Sequence, residues 1–168
     1  IQYGLDKALN AGSWLYFAAL TAIEKTFSKK IEEKELQYRL LQYSLEGIRH
    51  LHLGQAMDIS WHQNKDFIPS IAEYEAMISL KTGSLAALSA VIGASIGGAS
   101  ETKALALGKL IMEIGIAFQI IDDYTNLVTG NPGKKRGDDI VEGKKSYPIL
   151  LHLEKNPQDK DKIVKYFQ

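Results

Sequence analysis

Residues 118–148 read FQIIDDYTNLVTGNPGKKRGDDIVEGKKSYP. An apolar run from Ile114 to Ile121, interrupted by Gly115 and Gln119, leads into the adjacent acids Asp122 and Asp123. Burying a carboxylate costs several kcal/mol unless it is paired or holds a metal. Residues three and four apart share a helix face, so Gln119 and Asn126 lie over the two acids. Oxygen donors on one helix face, completed by water, suit Mg²⁺. The bland alternative is a solvated acidic cluster at a helix C-terminus, where the dipole disfavours negative charge. The loop that follows carries Lys134, Lys135, Arg136, Lys144 and Lys145 among glycines. Acids at a helix end and a basic loop beside them suit a polyphosphate bridged by divalent cations. The loop is not a Walker phosphate loop, because no Ser or Thr follows its Gly-Lys pair.

Outward from this stretch the chain reads as long helical segments with short breaks. Leu5, Leu9, Leu15, Ala18 and Ala22 recur at helical spacing. A second amphipathic run, Glu32 to about His62, turns Leu36, Leu40, Leu41, Leu45, Ile48, Leu51 and Leu53 inward. Ser70 with Glu73 three residues on has capping-box spacing. Gly83 is expected to bend the following helix before a small-residue segment ended by Gly97 and Gly98. A helix from Ser100 or Glu101 to about Val128 comes next, then a turn over 130–133. A shorter helix starts near Ser146 with Pro148 in its first turn, and Asn156 and Pro157 mark a break. Alternating β-branched strands are absent. The class is all-α, a bundle of packed antiparallel helices in one domain over 1–168.

Composition limits the function classes. Twenty basic and twenty acidic side chains balance, so no global field draws in nucleic acid or anionic membrane. The chain has no cysteine, which removes disulfides, thiolate catalysis and Cys-zinc sites and fits a cytoplasmic location. Residues 82–100 carry no charge, but their serines and glycines fit a helix inside a bundle better than stable membrane insertion. Lys81 and Thr82 stand between two apolar segments as diphosphate donors or as a snorkelling helix end. Gln55, Asp58 and Trp61 share a stripe at spacing three, read as supporting polar residues or helix surface. No Glu-x-x-His pair of the di-iron type accompanies His50, His52 or His62.

Taken in order, the blocks LDKALNAGSWLYF, LHLGQAMDISWH, EYEAMISLKTGSL, FQIIDDYTNL, GKKRGDD and EGKKSYP resemble the polyprenyl diphosphate synthase family of trans-prenyltransferases. Their wording is similar to geranylgeranyl and farnesyl diphosphate synthases. The resemblance covers roughly Tyr3 to Leu151. It implies the type I isoprenoid synthase fold, and a Mg²⁺-dependent condensation of isopentenyl diphosphate with an allylic diphosphate to a short-chain prenyl diphosphate. It assigns Asp122, Asp123 and Asn126 to the metal, with Asp122 as main ligand and Asp123→Ala the milder acid variant. It assigns Lys81, Thr82, Gln119, Lys144 and one of Lys134 and Lys135 to the allylic diphosphate; Lys81, Asp122 and Lys144 are the catalytic set. Those donors and a cavity lined by Lys81, Gln119 and Asp122 are the expected site. Asp139 matches the acid before the Glu-Gly-Lys step.

Two departures from the family pattern stand out. Asn126 replaces a frequent third aspartate, and the first aspartate-rich motif is expected upstream of Ile1. The chain is therefore expected to be a fragment at both ends, inactive alone and tending to associate, with the whole protein a homodimer. The alternative is a non-catalytic partner subunit. A terpene cyclase wants a Glu where Gly130 stands.

Overall fold

The computed structural model describes residues 3–130, 133 and 135–167, and among them every regular element is helical. The chain groups into two compact units, Ile1–Ile48 and Arg49–Gln168. The first holds helix α1 (Leu5–Lys30) and the start of helix α2 (Lys34–Gln63). The Ile31 N–H returns to the Phe27 carbonyl at 2.9 Å and closes α1. Leu40 and Ser44 are fully buried, and the Ser44 hydroxyl donates to the Leu40 carbonyl at 2.8 Å. Phe27 of α1 is buried as well, but Leu5, Leu9, Leu15 and Phe17 are exposed. Leu45 and Leu53 of α2 are exposed too, against the inward orientation that their spacing suggested. Periodicity reports a helix and an apolar stripe, but not whether another element covers it.

The second unit carries the site. Its first break is where the sequence put it: Ser70 caps α3 (Ile71–Ile78) in a complete capping box, accepting from the Glu73 N–H while Glu73 accepts from the Ser70 N–H. The chain then departs from expectation. Ser79–Gly83 form a π turn, with Gly83 in helical geometry, that continues into α4 (Ser84–Ile96). A π turn inserts one extra residue into the helical path and re-aims the side chains around it. Gly97 and Gly98 end α4, with Gly98 at φ +84°, a conformation open to glycine at no steric cost.

Helix α5 (Glu101–Val128) returns along α4 at close range. A β-carbon on Gly115 would stand 3.1 Å from the Ala86 β-carbon and 3.2 Å from the Gly83 α-carbon, so this approach needs the glycine. Short helix α6 (Asp138–Val141), invisible to periodicity at four residues, follows the basic loop. Then come α7 (Tyr147–Lys155), with Pro148 in its first turn as expected, the 3₁₀ turn Pro157–Asp159 and α8 (Lys160–Val164). Trp61, Tyr74, Met77, Ile78 and Leu150 form one core cluster, and Ile149, Leu153 and Phe167 a second. The stretches Ile71–Ile96 and Glu101–Val128 are long and apolar enough to cross a membrane by length and composition alone. Helices packed inside a protein meet the same criteria, and these two pack on each other.

Candidate functional site

Three elements meet around Asp123. Its carboxylate is buried and accepts three hydrogen bonds: from the Tyr74 hydroxyl of α3 at 2.6 Å, the Tyr147 N–H at the start of α7 at 2.9 Å, and Gln119 Nε2 one turn back on α5 at 3.2 Å. Burial pushes the Asp123 carboxyl above its ordinary range, and these donors oppose that rise. Burial and the neighbouring Asp123 charge together push the Tyr74 phenol far up, so Tyr74 stays a donor. Gln119 is fixed from its other side, because its Oε1 accepts from the Thr82 hydroxyl at 3.0 Å. Thr82 and Gln119 thus orient one another across the α4–α5 approach.

Asn126, one turn further along α5, is equally buried. Its Oδ1 accepts the Asp139 N–H at 3.3 Å and its carbonyl accepts the Gly137 N–H at 3.0 Å. Its Nδ2 has no hydrogen-bond partner among the described residues. Asp123 and Asn126 therefore use side-chain oxygens to pin the loop and α7 onto α5. Asp122 stands one position earlier and is half-buried. Its charge reaches Tyr74, which places it beside the same network.

Two lysines arrive from opposite sides. Lys81, on the π turn, pairs with Asp58 of α2 at 2.5 Å. Lys144, just before α7, pairs with the buried Asp139 at 2.8 Å and reaches Glu142 at 3.6 Å. Lys81, Lys144, Gln119, Asp58, Tyr74 and Asp123 line one narrow cavity of about 40 Å³. Of the two adjacent acids Asp123 lines it, where the sequence suggested Asp122. A larger cavity of about 420 Å³ lies elsewhere, between Ile68–Ile71 and α7. The Lys135 side chain is exposed, while its N–H donates to Asp138 at 2.7 Å. Lys134 lies outside the described residues.

The sequence reading takes Asp58 as a supporting polar residue or helix surface and gives Gly54 and His62 no role; all three shape the lysine side of the cavity. Gly54, Asp58 and His62 recur at spacing four and form one stripe of α2. A β-carbon on Gly54 would stand 2.5 Å from the Lys81 backbone nitrogen, so this glycine lets the π turn lie against α2. One turn on, Asp58 takes the Lys81 ammonium, and His62 Nδ1 lies 3.2 Å from the other Asp58 oxygen. Burial alone would raise the Asp58 carboxyl; His62 and Lys81 outweigh it and hold it below the ordinary carboxylate range. Nearby Lys145, which no reading assigned, is buried, donates to the Gly143 carbonyl and sits 3.7 Å over the Phe167 ring. Desolvation lowers its ammonium from the usual value.

An all-helical body with paired lysines and acids at the meeting of three helices defines a class already met in sequence. The polyprenyl synthetase family model matches residues 1–168, and the chain belongs to that family. It is 34% identical over 157 residues to a geranylgeranyl pyrophosphate synthase of Gibberella zeae, covering 92% of this chain and 39% of that one. It is 32% identical over 164 residues to a short chain isoprenyl diphosphate synthase of Methanocaldococcus jannaschii, covering 96% and 48%. The crystal structure of geranylgeranyl pyrophosphate synthetase from Pyrococcus horikoshii superposes with a TM-score of 0.84 at 33% identity, over 98% of this chain and 49% of that one. The all-α fold is thus that of its structural neighbours. The chain spans about half or less of the length of these relatives.

Proposed function

We propose that this chain forms the diphosphate-holding site of a trans-prenyltransferase. That enzyme condenses isopentenyl diphosphate with an allylic diphosphate to a short-chain prenyl diphosphate of geranylgeranyl or farnesyl length. The observation that carries this reading is the convergence of Lys81 and Lys144, from separate elements, on one cavity with Gln119. The names of the similar proteins support the reaction class.

Magnesium fits the donors that remain. Among the described residues no three His, Asp or Glu side chains cluster as a self-sufficient metal cage. Mg²⁺ does not need one, since it commonly keeps waters and takes one or two carboxylates plus substrate phosphates. Asp122 is the acid we assign to it. When bound, the ion would neutralise charge on the departing diphosphate. The chain's own residues do the rest. Lys81 and Lys144 exchange Asp58 and Asp139 for diphosphate oxygens, with Lys134 or Lys135 adding a further cation from the loop. Gln119, fixed by Thr82 and Asp123, offers its amide at the same place. The Tyr74–Asp123–Tyr147 links hold this face still, so the donors stabilise developing negative charge without reorganising.

The test is transfer of labelled isopentenyl diphosphate onto an allylic diphosphate by the protein that carries this sequence. Product should form with Mg²⁺ and disappear with a chelator. Lys81→Ala and Lys144→Ala should each lower turnover by on the order of 10²-fold, as loss of a preorganised electrostatic donor does. Wild-type turnover in the double variant would contradict the reading. Residues 1–168 alone, with one acidic cluster at the cavity, should give no transfer and should self-associate. The exposed apolar stripe of α5 also favours a second reading, a non-catalytic subunit docked on a catalytic partner. Turnover by the protein carrying this sequence, without any partner, would exclude that.

A further inference from the structure

The lysine that the proposed function places on the diphosphate is not free to reach it. Asp58 Oδ2 holds Lys81 Nζ, and the other carboxylate oxygen of Asp58 lies 3.2 Å from His62 Nδ1. His62 Nδ1 is also 2.6 Å from the Asp58 backbone carbonyl. A carbonyl only accepts, so Nδ1 carries the proton and Nε2 is the nitrogen that gains the second one. The three side chains are only partly exposed, at 21% for His62, 14% for Asp58 and 29% for Lys81. Solvent therefore screens them incompletely, and a charge added to one is felt by the others.

We propose that Asp58 and His62 are positioning residues for Lys81: Asp58 stores the ammonium beside the cavity, and a proton gained by His62 converts a neutral trio into a cationic one that yields Lys81 to a phosphate. With His62 neutral, one carboxylate faces one ammonium and the charges cancel. With His62 protonated, two cations share that carboxylate, the Lys81 pair weakens, and the trio carries one net positive charge. A diphosphate arriving at the cavity meets a released lysine and a more positive surface. The hydrogen bond to Asp58 raises the His62 imidazole above its ordinary value despite partial burial, so the folded protein favours the cationic trio more than a free histidine would.

Other charged groups around the trio are accounted for. Lys144, from the loop before α7, opposes protonation of His62, and is itself paired with Asp139 and Glu142. Tyr74 of α3 feels the Asp58 charge but stays neutral. Lys81 and Asp58 are neighbours by construction of the backbone, through Gly54 and the π turn, and so do not depend on the His62 charge to meet.

This inference rests on the reading of Lys81 as a diphosphate ligand, and the experiment separates the two. First, the His62 imidazole is titrated by NMR in the ligand-free protein. The wild-type midpoint should lie above that of a free histidine, should fall in Asp58→Asn, and should rise in Lys81→Met, which removes the competing cation. An unshifted wild-type midpoint, or one indifferent to Lys81→Met, overturns the proposal. Second, inorganic pyrophosphate is titrated calorimetrically without Mg²⁺ well below and well above the wild-type His62 midpoint that the NMR titration gives. The wild-type affinity at the lower pH should exceed that of His62→Gln by about fivefold or more, the lower end of ordinary site coupling, and the gap should close at the higher pH. Equal pH dependence in the two proteins overturns the proposal. If the NMR coupling holds but Lys81→Met binds pyrophosphate like wild type, the Lys81 assignment fails while the trio stands.

Discussion

Helix α5 has two faces that invert the usual order. The face against α4 and α7 is small and polar: Ala104, Gly108, Gly115, Asp123 and Asn126 are buried. The opposite face is large and apolar, yet Leu110 is 59% exposed, Ile114 56%, Phe118 65% and Ile121 61%. Close approach explains the inner face. Glycines let α5 reach α4, and the buried polar groups are tolerated because Tyr74, Tyr147, Gln119 and the loop give them partners. The outer face has no such explanation within the second unit, and we propose it as an association surface, because exposed apolar stripes of this extent commonly serve as one. The lesson is that the hydrophobic residues of α5 do not locate its core; its small and hydrogen-bonded residues do.

The sharpest way to break that comparison is to enlarge the inner face. Gly115→Leu meets the Gly83 backbone and the Ala86 β-carbon, neither of which can rotate away. It should cost about 3 kcal/mol or prevent folding, at the upper end of overpacking effects. On the outer face, Ile114→Ser should change urea stability of the isolated chain by less than about 0.5 kcal/mol and should reduce self-association in sedimentation. Equal losses from both substitutions would erase the distinction between the faces.

Asp123→Ala is next in size. It strands the buried Tyr74 hydroxyl and the Tyr147 N–H, at about 1–3 kcal/mol for each unsatisfied group. Asp122 is half-buried rather than buried, and Asp122→Ala leaves the Tyr74 and Tyr147 bonds to Asp123 in place, so it should cost less stability than Asp123→Ala. The sequence suggested Asp123→Ala as the milder substitution for turnover; for stability we expect it to be the costlier one. A smaller effect comes from His62. The folded protein holds its proton more tightly than the unfolded chain, through Asp58. That stabilisation is complete below the unfolded value of about 6.5 and is lost as pH rises through the higher folded value. The melting temperature of His62→Gln should therefore trail wild type in mildly acidic buffer and converge with it in alkaline buffer.

Much of this is legible in the sequence. The Ser70–Glu73 box, the stop at Gly97–Gly98, the span of α5 and Pro148 at the head of α7 all follow from local chemistry that a few adjacent residues determine. What stayed hidden depends on residues distant in sequence. Nothing in SLKTG announces a π turn, because Gly54 of another helix makes room for it. Spacing put Asp122, Asp123 and Asn126 on one face, but only the partners Tyr74, Tyr147 and Asp139 show which of them look inward. The stripe Gly54–Asp58–His62 was available as a spacing of four, and its meaning came only from Lys81 on the neighbouring turn.

The central proposal is that two adjacent acids divide the work: Asp123 holds the fold, and Asp122 would hold the metal. The most direct measurement is the Mg²⁺ concentration that half-activates prenyl transfer in the protein carrying this sequence, compared between wild type and Asp122→Asn. The account predicts that the variant, once shown to be folded, needs on the order of tenfold or more additional Mg²⁺, the scale of a lost metal-site contact. An unchanged Mg²⁺ requirement in Asp122→Asn would contradict it.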